Sequence, residues 1–228
     1  MMAKCKKWTV MLAASFFALA AHAANIVVDT GHTPLRPGAT AASGKVEYLY
    51  NLQFTNVLAG ELVTQGEKVF RVAADGKEIT LQERAIREPA ADFFVSIHHD
   101  SIQQEWIDAG RRREFAGFSI FVSEKNPHYA QSLHCAREIA EQLLAIGEVL
   151  SLYHATLIPG ENRPLIDRRL GIHRFDDLVV LKTATIPAVL IEAGVIANPD
   201  EEERFAKAET VQRLAHAIAT GIRVCQKP

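Results

Sequence analysis

Three apolar runs in this chain each stop at a residue that can bind metal or move a proton. The run NIVVD (25–29) leads through Thr30 and Gly31 to His32, FFVSI (93–97) leads to His98, and AVLI (188–191) leads to Glu192. β-Branched runs of this length between helix-like segments are strands buried on both faces of a mostly parallel sheet. Ligands bind such sheets in the crevice at the carboxyl ends of the strands. One sheet edge is therefore expected to receive two imidazoles and a carboxylate.

The intervening pattern supports that architecture. Residues 45–65 form a helix with an apolar face that includes Val46, Leu49, Leu58 and Leu62, and 68–73 form a second strand. Thr80 and Glu83 make a capping box for a short helix over 80–88. Residues 117–123 alternate as a strand, 127–146 form a long amphipathic helix, and 147–175, with Pro159, Gly160 and Pro164, are the least regular part. Two more short strands are expected at 178–181 and 188–192. Asn198, Pro199 and the acids at 200–203 then open a last helix that runs to about Val224. This order predicts an α/β three-layer sandwich, a mostly parallel twisted sheet with helices on both faces.

The first 23 residues read as a cleavable export signal, with Lys4, Lys6 and Lys7 before the apolar stretch 8–20 and a small-residue cleavage pattern ending at Ala23. Residues 24–228 then form one domain, expected to act as a monomer in an exported compartment, with no membrane segment in the mature form. A formal net charge of −2 gives no argument for nucleic acid. Cys135 and Cys225 fall on two separate predicted helices, where they either pair or remain buried thiols.

Catalytic zinc takes three protein ligands and leaves one position for water. His32 and His98 can supply two nitrogens. Glu47, in the first turn of the helix after the first strand, lies beside the same sheet edge and is the best-placed third donor. Each residue alone has a plainer reading: a satisfied strand-end histidine, or a solvated helix carboxylate. Glu192 is harder to read that way, because an acid after four apolar residues is costly to bury unpaired. A His/His/Glu metal set with Glu192 free for proton transfer is the most productive division. Asp29 can orient a ligand imidazole.

In this order and at these intervals, IVVDTGH (26–32), VEY (46–48) with Asn51, TLQER (80–84), FVSIH (94–98), LVVL (178–181) and IPAVLIE (186–192) followed by Asn198 and Pro199 resemble the zinc-dependent N-acetylmuramoyl-L-alanine amidases of the cell-wall type. The resemblance covers nearly the whole of the segment after the signal. It implies one zinc ion on His32, Glu47 and His98, with Glu192 as the catalytic carboxylate. It also implies hydrolysis of the bond between N-acetylmuramic acid and L-alanine in peptidoglycan or muropeptides, a periplasmic location, and room for a protein activator. A catalytically silent wall-binding protein and a zinc peptidase acting within the stem peptide are the alternatives.

The chain departs from the family pattern around both histidines, with Thr30 and Thr33-Pro34 at the first and His99-Asp100 after the second. His99 is expected to point away from His98 as a rim residue. Asp100 is either a substrate or outer contact, or a solvated acid. Asn51 and His173 are further outer-contact candidates, His173 as a residue that lines the cleft. His128, His134, His154 and His216 read as surface or packing residues. Residues 103–116, with Arg111, Arg112 and Arg113, form either an exposed loop or a basic rim, and 149–169 is expected to be a cleft loop rather than an autoinhibitory lid.

Overall fold

The computed structural model describes residues 23–227, so the signal segment, apart from Ala23, lies outside the described residues. In chain order the elements are β1 (Asn25–Thr30), α1 (Glu47–Thr64), β2 (Lys68–Val72), α2 (Leu81–Ile86), β3 (Phe93–Asp100), α3 (Gln104–Asp108), β4 (Ser119–Val122), α4 (Tyr129–Ala145), β5 (Leu165–Asp167), β6 (Ile172–Arg174), α5 (Val179–Lys182), β7 (Ala188–Val195), α6 (Pro199–Phe205) and α7 (Ala208–Cys225). The strands make one seven-stranded sheet in the order β2-β1-β3-β7-β4-β6-β5. β2, β1, β3 and β7 run parallel to their neighbours, β4 joins β7 antiparallel, β6 lies parallel to β4, and β5 closes the far edge antiparallel to β6.

Strand alternation divides the apolar residues between two layers. Ile26, Val28, Val95, Ile97, Val189 and Ile191 face α1, α4 and α7, where they meet Phe54, Leu58, Ile139, Leu143, Leu214 and Ile218 in the larger core. Val27, Phe94, Phe121 and Leu190 point to the other face, under Ala85, Val180 and Leu181 of α2 and α5. Both layers are covered, as the near-continuous apolar strands require. Cys135 of α4 and Cys225 of α7 are joined as a disulfide, with Cα atoms 5.0 Å apart.

Local sequence signals account for most element ends. The Thr80–Glu83 capping box forms, and the Asn198 side chain accepts from the Asp200 amide ahead of Pro199. Two expectations are corrected. The segment 178–181 is not a strand: Val179–Lys182 is one helical turn whose Val180 and Leu181 cover the smaller core. A short apolar run carries no periodicity that separates the two states. The last helix is also interrupted, at Ala206 and at Lys207, whose backbone is extended. Phe205 packs against His99, and a side chain at Gly194 would collide with its ring. Phe205 closes α6 and Val211 lies in the first turn of α7, and both reach the larger core from their separate helices. Among the described residues, no helix is long and apolar enough to cross a membrane.

Candidate metal centre

Parallel pairing places the polar strand ends side by side. Asp29 lies opposite Ser96, and His98 lies directly opposite Glu192. All four follow the alternation of Val27, Phe94 and Leu190, so they continue the face of the smaller core until it turns polar at the carboxyl edge.

His32 lies beyond β1 with a left-handed backbone, φ 68°. A non-glycine residue holds that conformation only where its surroundings over-determine it. Arg84, buried in α2, supplies the restraint. Its Nη1 donates to Asp29 Oδ1 at 2.8 Å and to the Thr30 carbonyl at 2.6 Å, and its Nη2 donates to the His32 carbonyl at 2.6 Å. Ser96 Oγ donates to the other Asp29 oxygen at 2.6 Å. Asp29 thus holds the guanidinium that clamps the loop, rather than a ligand imidazole, because β1 keeps it on the strand while His32 has already turned away. The TLQER segment, read from sequence as a helix start, supplies this clamp.

Glu47 opens α1 and is 4 % exposed. Its carboxylate lies 3.0 Å from His32 Nε2 and 3.0 Å from His98 Nδ1. It also accepts from Ala39 N at 2.9 Å, Asn51 Nδ2 at 3.0 Å and His99 N at 3.3 Å. Burial pushes its pKa up, but the hydrogen bonds and charges of His32 and His98 together hold it well below the usual carboxylate range. Asn51 also donates to the Gly31 carbonyl, tying α1 to the His32 loop.

One donor atom each from His32, Glu47 and His98 lie within 4.8 Å of one another. Two imidazole nitrogens and a carboxylate oxygen match the donor set of a catalytic zinc site. The space around them is built for close approach: a Cβ at Gly31 would lie 2.5 Å from the His98 ring, and one at Gly38 would land on Glu47 and His32. The residues therefore fit a divalent transition metal.

Glu192 stands across from His98 with its Oε2 buried and without a hydrogen-bond partner. Burial first, then the neighbouring Asp100 and Glu47 carboxylates, raise its pKa well above the ordinary value, with His154 opposing them. It lines a cavity of about 320 Å³ together with His32, Glu47, His98, Asp100, Tyr153 and Glu161. A second cavity of about 310 Å³ adjoins His32 and His98 on largely apolar walls of Ile79, Leu81, Leu178, Val180 and Leu190, with Arg36 and Glu78 among its lining. The two imidazoles thus stand between a carboxylate-rich space and an apolar one.

Several outer residues differ from expectation. His99 does point away from His98, but into the core rather than to the rim. It is 1 % exposed, packs against Phe54 and Phe205, bonds Asn51 Oδ1 at 2.8 Å, and burial lowers its pKa to about 3. His173 is fully buried in β6 beside Phe121, with Nδ1 on the Gly171 carbonyl, and cannot line the cleft. Arg111 pairs with Glu114 and Arg113 with Asp200, both exposed, while Arg112 donates to the neutral Ala197 carbonyl. The segment 149–169 lines the cleft through Tyr153 and Glu161, as a cleft loop does. His154 is neither a surface nor a simple packing residue. It joins Asp100 and Glu161, a pairing that no pattern in the sequence marked.

Comparisons with known proteins bear on the family and the fold. A family model described as N-acetylmuramoyl-L-alanine amidase matches residues 26–224. The probable cell wall amidase LytH of Staphylococcus saprophyticus is 26% identical over 200 residues, 87% of this chain but 57% of that protein, so the chain spans little more than half of this relative. The N-acetylmuramoyl-L-alanine amidase of Clostridium difficile 630 superposes with a TM-score of 0.69 at 24% identity, covering 88% of this chain and 95% of that one. The CwlD amidase of Clostridioides difficile, solved in complex with the GerS lipoprotein, gives 0.67 at 22% identity, covering 89% and 98%. At these identities the two structures speak for the fold.

Proposed function

Because this chain belongs to the N-acetylmuramoyl-L-alanine amidase family, we propose that it is a zinc-dependent hydrolase of the amide between N-acetylmuramic acid and the L-alanine of the stem peptide. The observation that carries the reading is Glu192, a buried carboxylate oxygen with no partner, set directly across the sheet from His98 of the three-donor cluster. His32, Glu47 and His98 would hold one zinc ion. When bound, zinc supplies Lewis-acid chemistry, polarising the scissile carbonyl and acidifying water.

The remaining work belongs to the chain. Glu192 takes a proton from the attacking water and returns it to the amine of the departing L-alanine. A carboxyl whose pKa is raised above its ordinary value by burial suits both directions of that transfer. Glu47, kept ionised by its two histidines, stays a donor and does not compete for the proton. Arg84 and Asn51 hold the His32 loop and Glu47 so that the three donors keep their spacing. The two cavities flanking the histidines give the substrate room on both sides of the scissile bond.

We place the protein in the exported, periplasmic space on the strength of its leader-type segment and its proposed substrate, and expect it to act as a monomer. A protein activator is a further partner to test for, since CwlD was solved with GerS. The decisive experiment is digestion of purified sacculi by zinc-loaded wild type and by Glu192→Ala, with mass spectrometry of the products. Wild type should release whole stem peptides beginning at L-alanine, with chelation abolishing release and zinc restoring it, and the variant should release none. Cuts inside the stem peptide would indicate a zinc peptidase, and binding without cleavage would indicate a silent wall-binding protein.

A further inference from the structure

His154 is partly buried, its side chain 13 % exposed, with both ring nitrogens occupied: Nε2 lies 2.7 Å from Asp100 Oδ2 and Nδ1 lies 2.7 Å from Glu161 Oε2. These are charge-assisted distances, and an imidazole that donates from both nitrogens carries both protons. Burial lowers its pKa, but Asp100 and Glu161 more than offset that and hold it up at about 10. With neither nitrogen free, His154 has none left for a metal or a substrate.

What it fastens is a loop. The Arg163 amide donates to the His154 carbonyl at 2.6 Å and closes residues 154–163 on themselves, with Arg163 Nη2 on the Gly160 carbonyl inside. Leu157 within it is 84 % exposed. The ties from this loop to the body include His154 to Asp100 and Gln103 Nε2 to the Pro159 carbonyl, the latter exposed. Asp100 ends β3, and Glu161 lines the same cavity as Glu192 and Glu47. Without the cation, Asp100 and Glu161 would be like charges facing each other in a cavity that already holds two carboxylates.

We propose that His154 is a positioning residue for substrate: clasped between Asp100 and Glu161, it fixes the loop 154–163 as a wall of the Glu192 cleft and so sets affinity for the muropeptide, not for metal. The effect on substrate rests on the amidase reading; the effect on the loop does not.

The test uses the zinc-loaded full chain with His154→Ala and His154→Gln. It measures KM and kcat on a soluble N-acetylmuramoyl peptide, zinc affinity by chelator competition, and protease cleavage within 155–161 without substrate. His154→Ala should raise KM by about tenfold or more, leave zinc affinity unchanged and open the loop to cleavage beside Leu157, with His154→Gln intermediate. Adding Asp100→Asn and Glu161→Gln to His154→Ala should recover part of the lost affinity by removing the repulsion. An unchanged KM in both variants, or a fall in zinc affinity with KM intact, overturns the proposal. Should His154→Ala not fold, His154→Gln is judged by the same readouts. If wild type itself releases no stem peptide, the amidase reading fails, while undiminished protease resistance in the variants overturns the clasp independently.

Discussion

The two halves of the sheet hold their polar residues by different means. In the parallel half, β2-β1-β3-β7, backbone ladders set Asp29 against Ser96 and His98 against Glu192, and the metal-type cluster follows from register. In the other half β4, β6 and β5 have only three or four residues each, and His154 and Glu161, in the loop before β5, are placed by side-chain pairing that reaches back to Asp100 at the end of β3. A ladder fixes position whatever the charges are, whereas a clasp works only while its charges match. Changes in the first half should therefore show up in metal binding and turnover, and changes in the second in substrate affinity or stability.

The most severe test of the first half is Glu47→Ala. It removes one donor and the common acceptor of His32 and His98, so zinc affinity should fall by more than the roughly 10–100-fold that loss of an outer partner costs. Wild-type affinity in a chelator titration would remove Glu47 from the site. Glu192→Gln should separate chemistry from binding, lowering turnover by about 10²–10⁴-fold with zinc retained. An equal loss of zinc would make Glu192 a ligand. Arg84→Ala probes the clamp: zinc affinity should drop roughly 10–100-fold, and the apoprotein should lose about 3–5 kcal/mol as a buried charge pair is broken. Denaturant titration measures the second figure, and a stability loss with undiminished zinc affinity would reduce Arg84 to a packing role.

In the helix layer, reduction of the Cys135–Cys225 bond should cost about 2–4 kcal/mol of stability and leave zinc affinity alone. An effect of similar size, seen only toward acid pH, is a slope with pH in the second half. Burial holds His173 neutral, with its pKa lowered to about 4. An unfolded imidazole titrates near 6.5, so between about 6.5 and 4 the unfolded chain binds more protons, and stability falls as pH falls. His173→Phe, beside Phe121, should flatten that slope by up to about 3 kcal/mol at the acid end. An unaltered slope would assign the loss to other groups, among them His99.

The same contrast governs what the sequence made legible. β1, β3 and β7 are apolar runs bounded by polar residues, so their ends marked His32, His98 and Glu192 directly. Glu47 was readable because the first turn of a helix after β1 must lie near the same edge, and the Thr80–Glu83 cap was readable from its spacing. Arg84 stood inside a noted motif, but its clamp needs α2 to be folded back over β1, which no local pattern states. The turn at Val179–Lys182 was ambiguous in period, and the break after Phe205 depends on which surface that ring meets. Strands as short as β5 and β6 carry no alternation. His154 and Glu161 lie in a loop without periodicity, and Asp100, read as an outer contact or a solvated acid, did not point to them.

The central claim is the division of labour between three donors and one free carboxylate. Anomalous diffraction at the zinc edge, from crystals grown with zinc, tests it most directly. One ion should be found bound by His32, Glu47 and His98, with neither oxygen of Glu192 within bonding distance of it. An ion ligated by Glu192, or held at a site that leaves out any of the three donors, would overturn that division of labour.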